Sequence, residues 1–194
     1  VSGVTLTNGR TVRAGKLVIV ADGRNSIVRR QELLPVTELG APIDVFWFRV
    51  PKQPDGGEAL RGIIAPGTMM ALIDRVNYWQ CAYIFQKGMG AQIKAGGIAA
   101  LRQQIEAVAP ILGPLETLLT NMDQMHLLTV KLDRLDRWHM PGLLAIGDAA
   151  HAMSPMGGIG INLAVQDAVA AANILAAPMR DHDHVDDLLA TVEA

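Results

Sequence analysis

Residues 142–166 read GLLAIGDAAHAMSPMGGIGINLAVQ, and the way this stretch divides decides the fold. A short apolar run, Leu143-Leu144-Ala145-Ile146, stops at Gly147-Asp148, and further on a Gly-Gly-Ile-Gly segment opens a long apolar helix. The pattern is strand, loop, helix, with glycine bracketing the loop. An acid at the carboxyl end of a buried strand, ahead of glycines where a helix begins, suits a large polar ligand. Parallel strands receive ligands at their carboxyl ends, and helix N-termini offer unbonded N–H groups to negative charge.

Upstream, Val4-Thr-Leu-Thr, Asn8-Gly9 and Arg10-Thr-Val-Arg form a hairpin pattern in which Asn-Gly takes the positive φ angles of a tight primed turn. Lys16-Leu-Val-Ile-Val-Ala21 is a continuous apolar run, as in a strand buried on both faces, and ends in Asp22-Gly23. Ser26 or Asn25 caps an expected helix over residues 27–34, stopped at Pro35. Arg29 and Arg30 fall in its first turn, where cations oppose the helix dipole; they are either solvated or face an anionic partner.

Pro35, Gly40 and Pro42 mark a crossing into a region of different periodicity. Asp44-Val-Phe-Trp-Phe-Arg-Val50 alternates, with Phe46, Phe48 and Val50 on one face and Val45, Trp47 and Arg49 on the other. A loop at 51–58 leads to strands near 60–65, 68–74 and 78–86, the last two joined about Asp74-Arg75-Val76-Asn77. Four strands without a helix between them indicate an antiparallel sheet. A helix at 97–109 carries the stripe Ile98, Leu101, Ile105 and Val108 and ends at Pro110. A second is expected from Pro114, suited to a first helical position, to about Met122, and 126–132 returns as a strand. The expected architecture is α/β at 1–38 and 133–194, interrupted over 39–132 by an antiparallel-sheet, α+β insert flanked by helices.

Of the 194 residues, 50% are hydrophobic and 19% charged, ordinary for a globular chain with a sizeable core. A net charge of −2 gives no electrostatic case for nucleic acid or an acidic membrane surface. The most apolar helix, 159–177, is interrupted by Asn162, Gln166, Asp167 and Asn173, which argues against an integral membrane span. The lone Cys81 excludes an internal disulfide and a cysteine zinc site, and points to a reduced, cytoplasmic setting. His182 and His184 lie among acids in a polar tail, a composition read as solvated rather than metal-binding. Val1 is not a methionine and Val4 already lies in a strand, so the chain is expected to be cut from a longer protein.

Asp22-Gly23 and Gly147-Asp148 both sit at strand ends, with the sheet region between them. Either alone is a common turn. Together, in this order, they resemble the flavoprotein hydroxylases, the FAD-dependent aromatic-ring monooxygenases. That family's DG motif, an apolar strand followed by Asp-Gly-x-x-Ser and an arginine, is matched by residues 18–26 and Arg29. Its GD motif is matched by Gly147-Asp148-Ala149-Ala150-His151, Pro155 and Gly158-Ile159-Gly160-Ile161-Asn162. The family's opening Gly-x-Gly-x-x-Gly strand-helix is absent, and Gly88-Met89-Gly90 does not supply it. A missing N-terminal FAD-binding segment is therefore expected, and this stretch alone is expected to hold FAD weakly and to be inactive.

The resemblance implies that Asp148 accepts hydrogen bonds from the ribityl chain of FAD. It implies that Gly147, Gly157, Gly158 and Gly160 let a flat ring approach the backbone. N–H groups about Gly160, Ile161 and Asn162 would face the flavin pyrimidine edge, which becomes negative on reduction. Pro155 would shape the loop beside the reactive edge, while Asp22, Gly23 and Arg29 would lie toward the pyrophosphate and serve use of a nicotinamide cofactor. His151 is taken as a structural, hydrogen-bonded histidine rather than a base. The implied reaction uses NAD(P)H as reductant and transfers oxygen through a flavin hydroperoxide to a small organic, in some members aromatic, substrate. Trp47, Arg49, Met69 and Tyr83, with Met70, are candidates to line its site. A flavin-dependent reductase or dehydrogenase of a lipid or isoprenoid, or a non-catalytic ligand-binding module, are the alternatives. Self-association into a homodimer is left open.

Overall fold

The computed structural model describes residues 1–52, 60–181 and 184–194. The chain forms two compact units, one of Val1–Gly40 with Lys131–Ala194 and one of Ala41–Val130. The architecture is mixed α/β with an antiparallel insert.

The chain opens with the hairpin β1 (Gly3–Thr5) and β2 (Thr11–Arg13). Its turn differs from the expected primed one. Gly9 has positive φ but Asn8 does not, Gly9 N–H donates to the Leu6 carbonyl, and Leu6 N–H to that of Arg10. This is the three-residue loop in which an ordinary turn is followed by a left-handed glycine. Next comes β3 (Val18–Val20), where Val20 is buried but Ile19 is half exposed, not buried on both faces as expected, because β3 is an edge strand. The helix expected over 27–34 is a single turn, α1 (Ile27–Arg30). Glu32 takes a left-handed φ of 51°, and the N–H groups of Glu32 and Leu33 return to the Arg29 and Val28 carbonyls. That closing pattern, with glutamate where glycine is usual, ends the helix before Pro35. The crossing segment contains a strand of its own, β4 (Val36–Glu38).

The second unit begins with β5 (Ile43–Pro51), followed by β6 (Arg61–Ala65), β7 (Thr68–Asp74) and β8 (Tyr78–Gln86). Two helices follow, α2 (Gly90–Ala95), which the sequence pattern did not mark, and α3 (Gly97–Val108). With β9 (His126–Leu128) the strands make one antiparallel sheet, ordered β6-β7-β8-β5-β9. Phe46, Phe48 and Val50 of β5 pack in one core with Leu101 and Ile105 of α3, as the alternation and the helical stripe require. The helix expected over 114–122 is absent. Glu106 accepts the Leu115 N–H, and Arg102 binds the Glu116 and Leu119 carbonyls, so side chains of α3 hold this segment as one turn with Leu115 and Leu119 fully buried. The return strand is also shorter than 126–132.

The chain re-enters the first unit through β10 (Asp133–Leu135), β11 (His139–Met140), β12 (Leu143–Ala145) and β13 (His151–Ala152). β10 lies between β4 and β13, while β12 lies between β11 and β3. The long helix α4 (Gly160–Asp181) continues through Pro178, and a short α5 (Leu189–Glu193) follows. By length and composition α4 could cross a membrane; in this fold its buried residues Ala171 and Leu175 pack with Leu144 of β12 and Leu189 of α5. No group of three or more metal-ligating side chains occurs among the described residues, and residues 182–183 of the polar tail lie outside them.

Candidate cofactor-binding site

β12 is completely buried and runs parallel to β3, pairing Leu143 with Val18, Leu144 with Ile19 and Ala145 with Val20. Ile146 N–H extends the ladder to the Val20 carbonyl. Asp22-Gly23 and Gly147-Asp148 therefore leave the carboxyl ends of adjacent parallel strands. The two stations, remote in sequence, become neighbours through strand pairing alone, at the place where open α/β sheets bind ligands.

Gly147 turns the chain off β12 with φ of 60°, and a Cβ there would lie 3.1 Å from that of Ala164 on α4. Its N–H donates to Asp167 Oδ2 at 2.7 Å. His151 Nε2 lies 2.7 Å from the same oxygen, and its ring packs on Trp138. One buried carboxylate on α4 thus fastens both ends of the Gly147–His151 loop. This leaves His151 facing a carboxylate of the scaffold. Asp148, between them, keeps its side chain partly exposed, 3.6 Å from Arg24. Gly157 and Gly158 then take φ of 80° and 64° before α4 begins, as only glycine does readily. The N–H groups of Gly160, Ile161 and Asn162 head that helix, in the turn that has no intrahelical carbonyls to bind.

These elements enclose a hollow of about 380 Å³, lined by Gly23, Gly147, Asp148, Gly160, Ile161 and Ala164 among others. A Cβ added at Gly160 would meet no atom within 4 Å, so any larger residue would intrude into open space beside the helix terminus. The family described as FAD binding domain matches residues 2–194. The chain belongs to that family.

The chain is 33% identical over 191 residues to 6-methylpretetramide 4-monooxygenase of Streptomyces rimosus, covering 96% of this chain and 45% of that protein. Kynurenine 3-monooxygenase of Xanthomonas oryzae pv. oryzae is 51% identical over 61 residues, 31% of this chain and 12% of its own. The crystal structure of PqsL, a probable FAD-dependent monooxygenase from Pseudomonas aeruginosa, shares the fold with a TM-score of 0.80 at 24% identity, over 99% of this chain and 54% of that one. The chain spans about half the length, or less, of the relatives it matches.

The residues present fit part of an FAD. The hollow has small-residue walls, one carboxylate for hydroxyl groups, one nearby guanidinium for phosphate, and a helix N-terminus for a group that gains negative charge. Of the residues that sequence singled out, Gly23, Gly147, Asp148, Gly160 and Ile161 line it. Pro155, Gly157, Gly158 and the exposed Asn162 belong to the loop and first turn beside it.

Two others also bind the scaffold, the exposed Asp22 and the largely buried Arg29. Asp22 accepts from the Ile27 N–H at 2.9 Å and from the Ser26 hydroxyl. Burial raises its pKa, but these bonds, its own N–H and the Arg30 charge outweigh that and hold it below the ordinary carboxylate value. Arg29 is nine-tenths buried. It pairs with Asp133 and donates from Nε to the Ala149 carbonyl, tying α1 to β10 and to the loop after β12. These scaffold contacts account for a cation at that awkward helical position, and among the described residues its Nη2 is buried without a hydrogen-bond partner. Asp167 and Arg24 escaped the sequence reading; the available signal was an acid inside an otherwise apolar helical face.

In the second unit Trp47, Arg49 and Met69 lie on the face of the sheet turned away from the α3 core. Tyr83 does not. It pairs in register with Phe46, is 5% exposed within that core with Met70, and bonds Gln104 of α3 through its hydroxyl. The alternation of β8 thus removes Tyr83 and Met70 from any site shared with Trp47.

Proposed function

We propose that this chain contributes cofactor-binding and substrate-binding parts of an FAD-dependent monooxygenase that uses NAD(P)H to hydroxylate a small organic substrate. The observation that carries the reading is the pairing of β3 with β12, which brings both motif stations to one small-residue hollow at strand ends. Its kinship with FAD-binding monooxygenases supports the same reaction class.

FAD, when bound, supplies the redox chemistry and the activation of dioxygen. The chain's own groups bind and orient it. Asp148 accepts hydrogen bonds from hydroxyl groups, Gly23 and Gly160 leave room for close approach, and the α4 N-terminus favours a group that gains negative charge. Arg24 adds a cation beside Asp148 for phosphate oxygens. Asp167 acts one layer behind, holding Gly147 and His151 so that Asp148 keeps its position.

Asp148→Ala is expected to weaken FAD retention, because losing a charged hydrogen-bond acceptor costs about 1.5–3 kcal/mol, roughly 10- to 150-fold in Kd. The measurement is flavin absorbance co-eluting with the longest natural polypeptide that carries these residues. Equal flavin content in parent and variant would remove Asp148 from the site. Oxygen uptake driven by NADH or by NADPH, and coupled to product, tests the reaction class and names the reductant.

A further inference from the structure

Asn8-Gly9 forms the tip of the β1-β2 hairpin, away from the residues that line the cofactor hollow. β1 and β2 make a sheet of two strands only, and every residue from Val4 to Arg13 is exposed. A lone two-stranded ribbon is marginally stable in water, so its turn opens at little cost. Two backbone bonds close the tip, from Gly9 N–H to the Leu6 carbonyl and from Leu6 N–H to that of Arg10. The Asn8 side chain is turned forward along the chain, its Oδ1 accepting the Arg10 N–H at 3.0 Å. That bond draws electron density from the amide carbon, Cγ.

Asn8 alone among the chain's asparagines precedes glycine. Glycine has no Cβ to shield its own nitrogen, and it moves freely through φ space, so an approach of that nitrogen to Cγ meets little resistance. The other asparagines are shielded. Asn162 and Asn173 lie inside α4 before Leu163 and Ile174, and the Leu163 N–H is held by the Ile159 carbonyl. Asn77 and Asn121 precede the bulky Tyr78 and Met122, and Asn121 Oδ1 is engaged by the Asp123 N–H. Asn25 precedes Ser26, which is fully buried and donates its N–H to the Gly23 carbonyl. Asp22-Gly23 resembles Asn8-Gly9 in shape, but its side chain is a carboxylate, a poor target for a nucleophile, and is held by the Ile27 N–H.

We propose that Asn8 is a site of covalent modification, where solvent deamidates the hairpin tip to aspartate and isoaspartate. The Gly9 nitrogen, once an opening of the turn frees it from Leu6 and base removes its proton, bonds to Asn8 Cγ. The Cγ–Nδ2 bond breaks, and Nδ2 leaves as ammonia after taking up a proton. Water then adds to either carbonyl of the resulting cyclic imide and reopens it. Nothing is oxidised or reduced, and water is the sole co-reactant. The product places a negative charge beside Arg10. In the isoaspartyl form the backbone also gains a methylene inside the loop, which puts the Gly9–Leu6 and Leu6–Arg10 bonds out of register and loosens the ribbon. This chemistry requires neither flavin nor substrate.

The test is to age the native protein in mildly alkaline buffer and to follow its tryptic peptides by mass spectrometry. The peptide that ends at Arg10 is expected to gain the mass difference between a hydroxyl and an amino group, faster as pH is raised, while peptides carrying the other asparagines stay intact. Its rate is expected within roughly threefold of that of the same peptide free in solution, because a ribbon with an opening free energy near zero gives little protection. Methylation by an isoaspartate-specific methyltransferase is expected to label the same peptide. Asn8→Gln, whose longer side chain would have to close a larger ring, is expected to abolish the mass gain and to leave flavin content unchanged. An Asn8 peptide that stays intact in the native protein while the free peptide converts overturns the proposal, as does earlier conversion at another asparagine. Flavin content reports on the cofactor hollow alone, so failure here and failure of the monooxygenase reading are separable.

Discussion

A single carboxylate oxygen, Oδ2 of Asp167, receives both the Gly147 N–H and the His151 ring nitrogen. Replacing it with alanine strands two largely buried polar groups at about 1–3 kcal/mol each. Asp167→Ala is therefore expected to lower the urea midpoint and, by releasing the loop, to weaken flavin retention although Asp167 does not line the hollow. A variant with unchanged midpoint would show the loop to be held by other contacts. Asp44 plays a comparable part in the second unit. Burial raises its pKa, but the N–H groups of Gly88 and Val130 and the Lys87 ammonium outweigh it, and the net pKa lies below 3.8. A carboxylate depressed on folding stabilises the fold above its unfolded pKa, and that contribution is lost as pH falls through the lowered folded value. Urea midpoints recorded between neutral pH and pH 2 should fall steeply below 3.8 in the parent, and Asp44→Asn should flatten that limb.

Elements show why some of this was legible beforehand. The Leu143–Ile146 run, the alternation of β5 and the α3 stripe are periodic signals with burial behind them, and each formed where its period placed it. The lost helix at 114–122 had a good first position in Pro114, yet Glu106 and Arg102 bind its backbone groups from outside. Such tertiary contacts have no local sequence signal. Tyr83 shows a related gap: alternation sorts residues within one strand, but only inter-strand register reveals that Tyr83 shares the face of Phe46 and not that of Trp47. Asp167 looked like a polar break in an apolar helix because its partner is a backbone N–H, a group every residue has. At this scale the packing of α3 on the sheet is the testable quantity. Ile105→Ala, at a fully buried position, is expected to cost about 2–5 kcal/mol, whereas Ile64→Ala, on the exposed side of an edge strand, should stay within about 0.5 kcal/mol. Similar losses at both positions would contradict the assigned core.

For the molecule as a whole, the hydrophobic contacts divide as the chain does. One cluster belongs to the antiparallel unit, and two lie on either side of the β11-β12-β3 sheet in the other unit. Cys81 lies in the first of these, 0% exposed, and burial pushes its thiol pKa up to about 12. At pH 8 the native thiolate fraction is on the order of one in ten thousand, so labelling should proceed only through opening of that unit. Reaction with a thiol reagent is expected to be negligible in buffer and to appear along the unfolding transition. Rapid labelling of the native chain would place Cys81 outside the core.

The parallel pairing of β3 with β12 also fixes an order of events. Arg29 and Ala149, which meet across the finished first unit, are separated by 120 positions. Contacts of such span form after the closure entropy of the intervening chain has been met, and they slow folding. During synthesis, a nascent chain that has emerged as far as Val130 already contains every strand of the antiparallel sheet, but only one of the two parallel strands that frame the cofactor hollow. The frame of the hollow is thus completed only once β12 follows the finished antiparallel strands out of the ribosome.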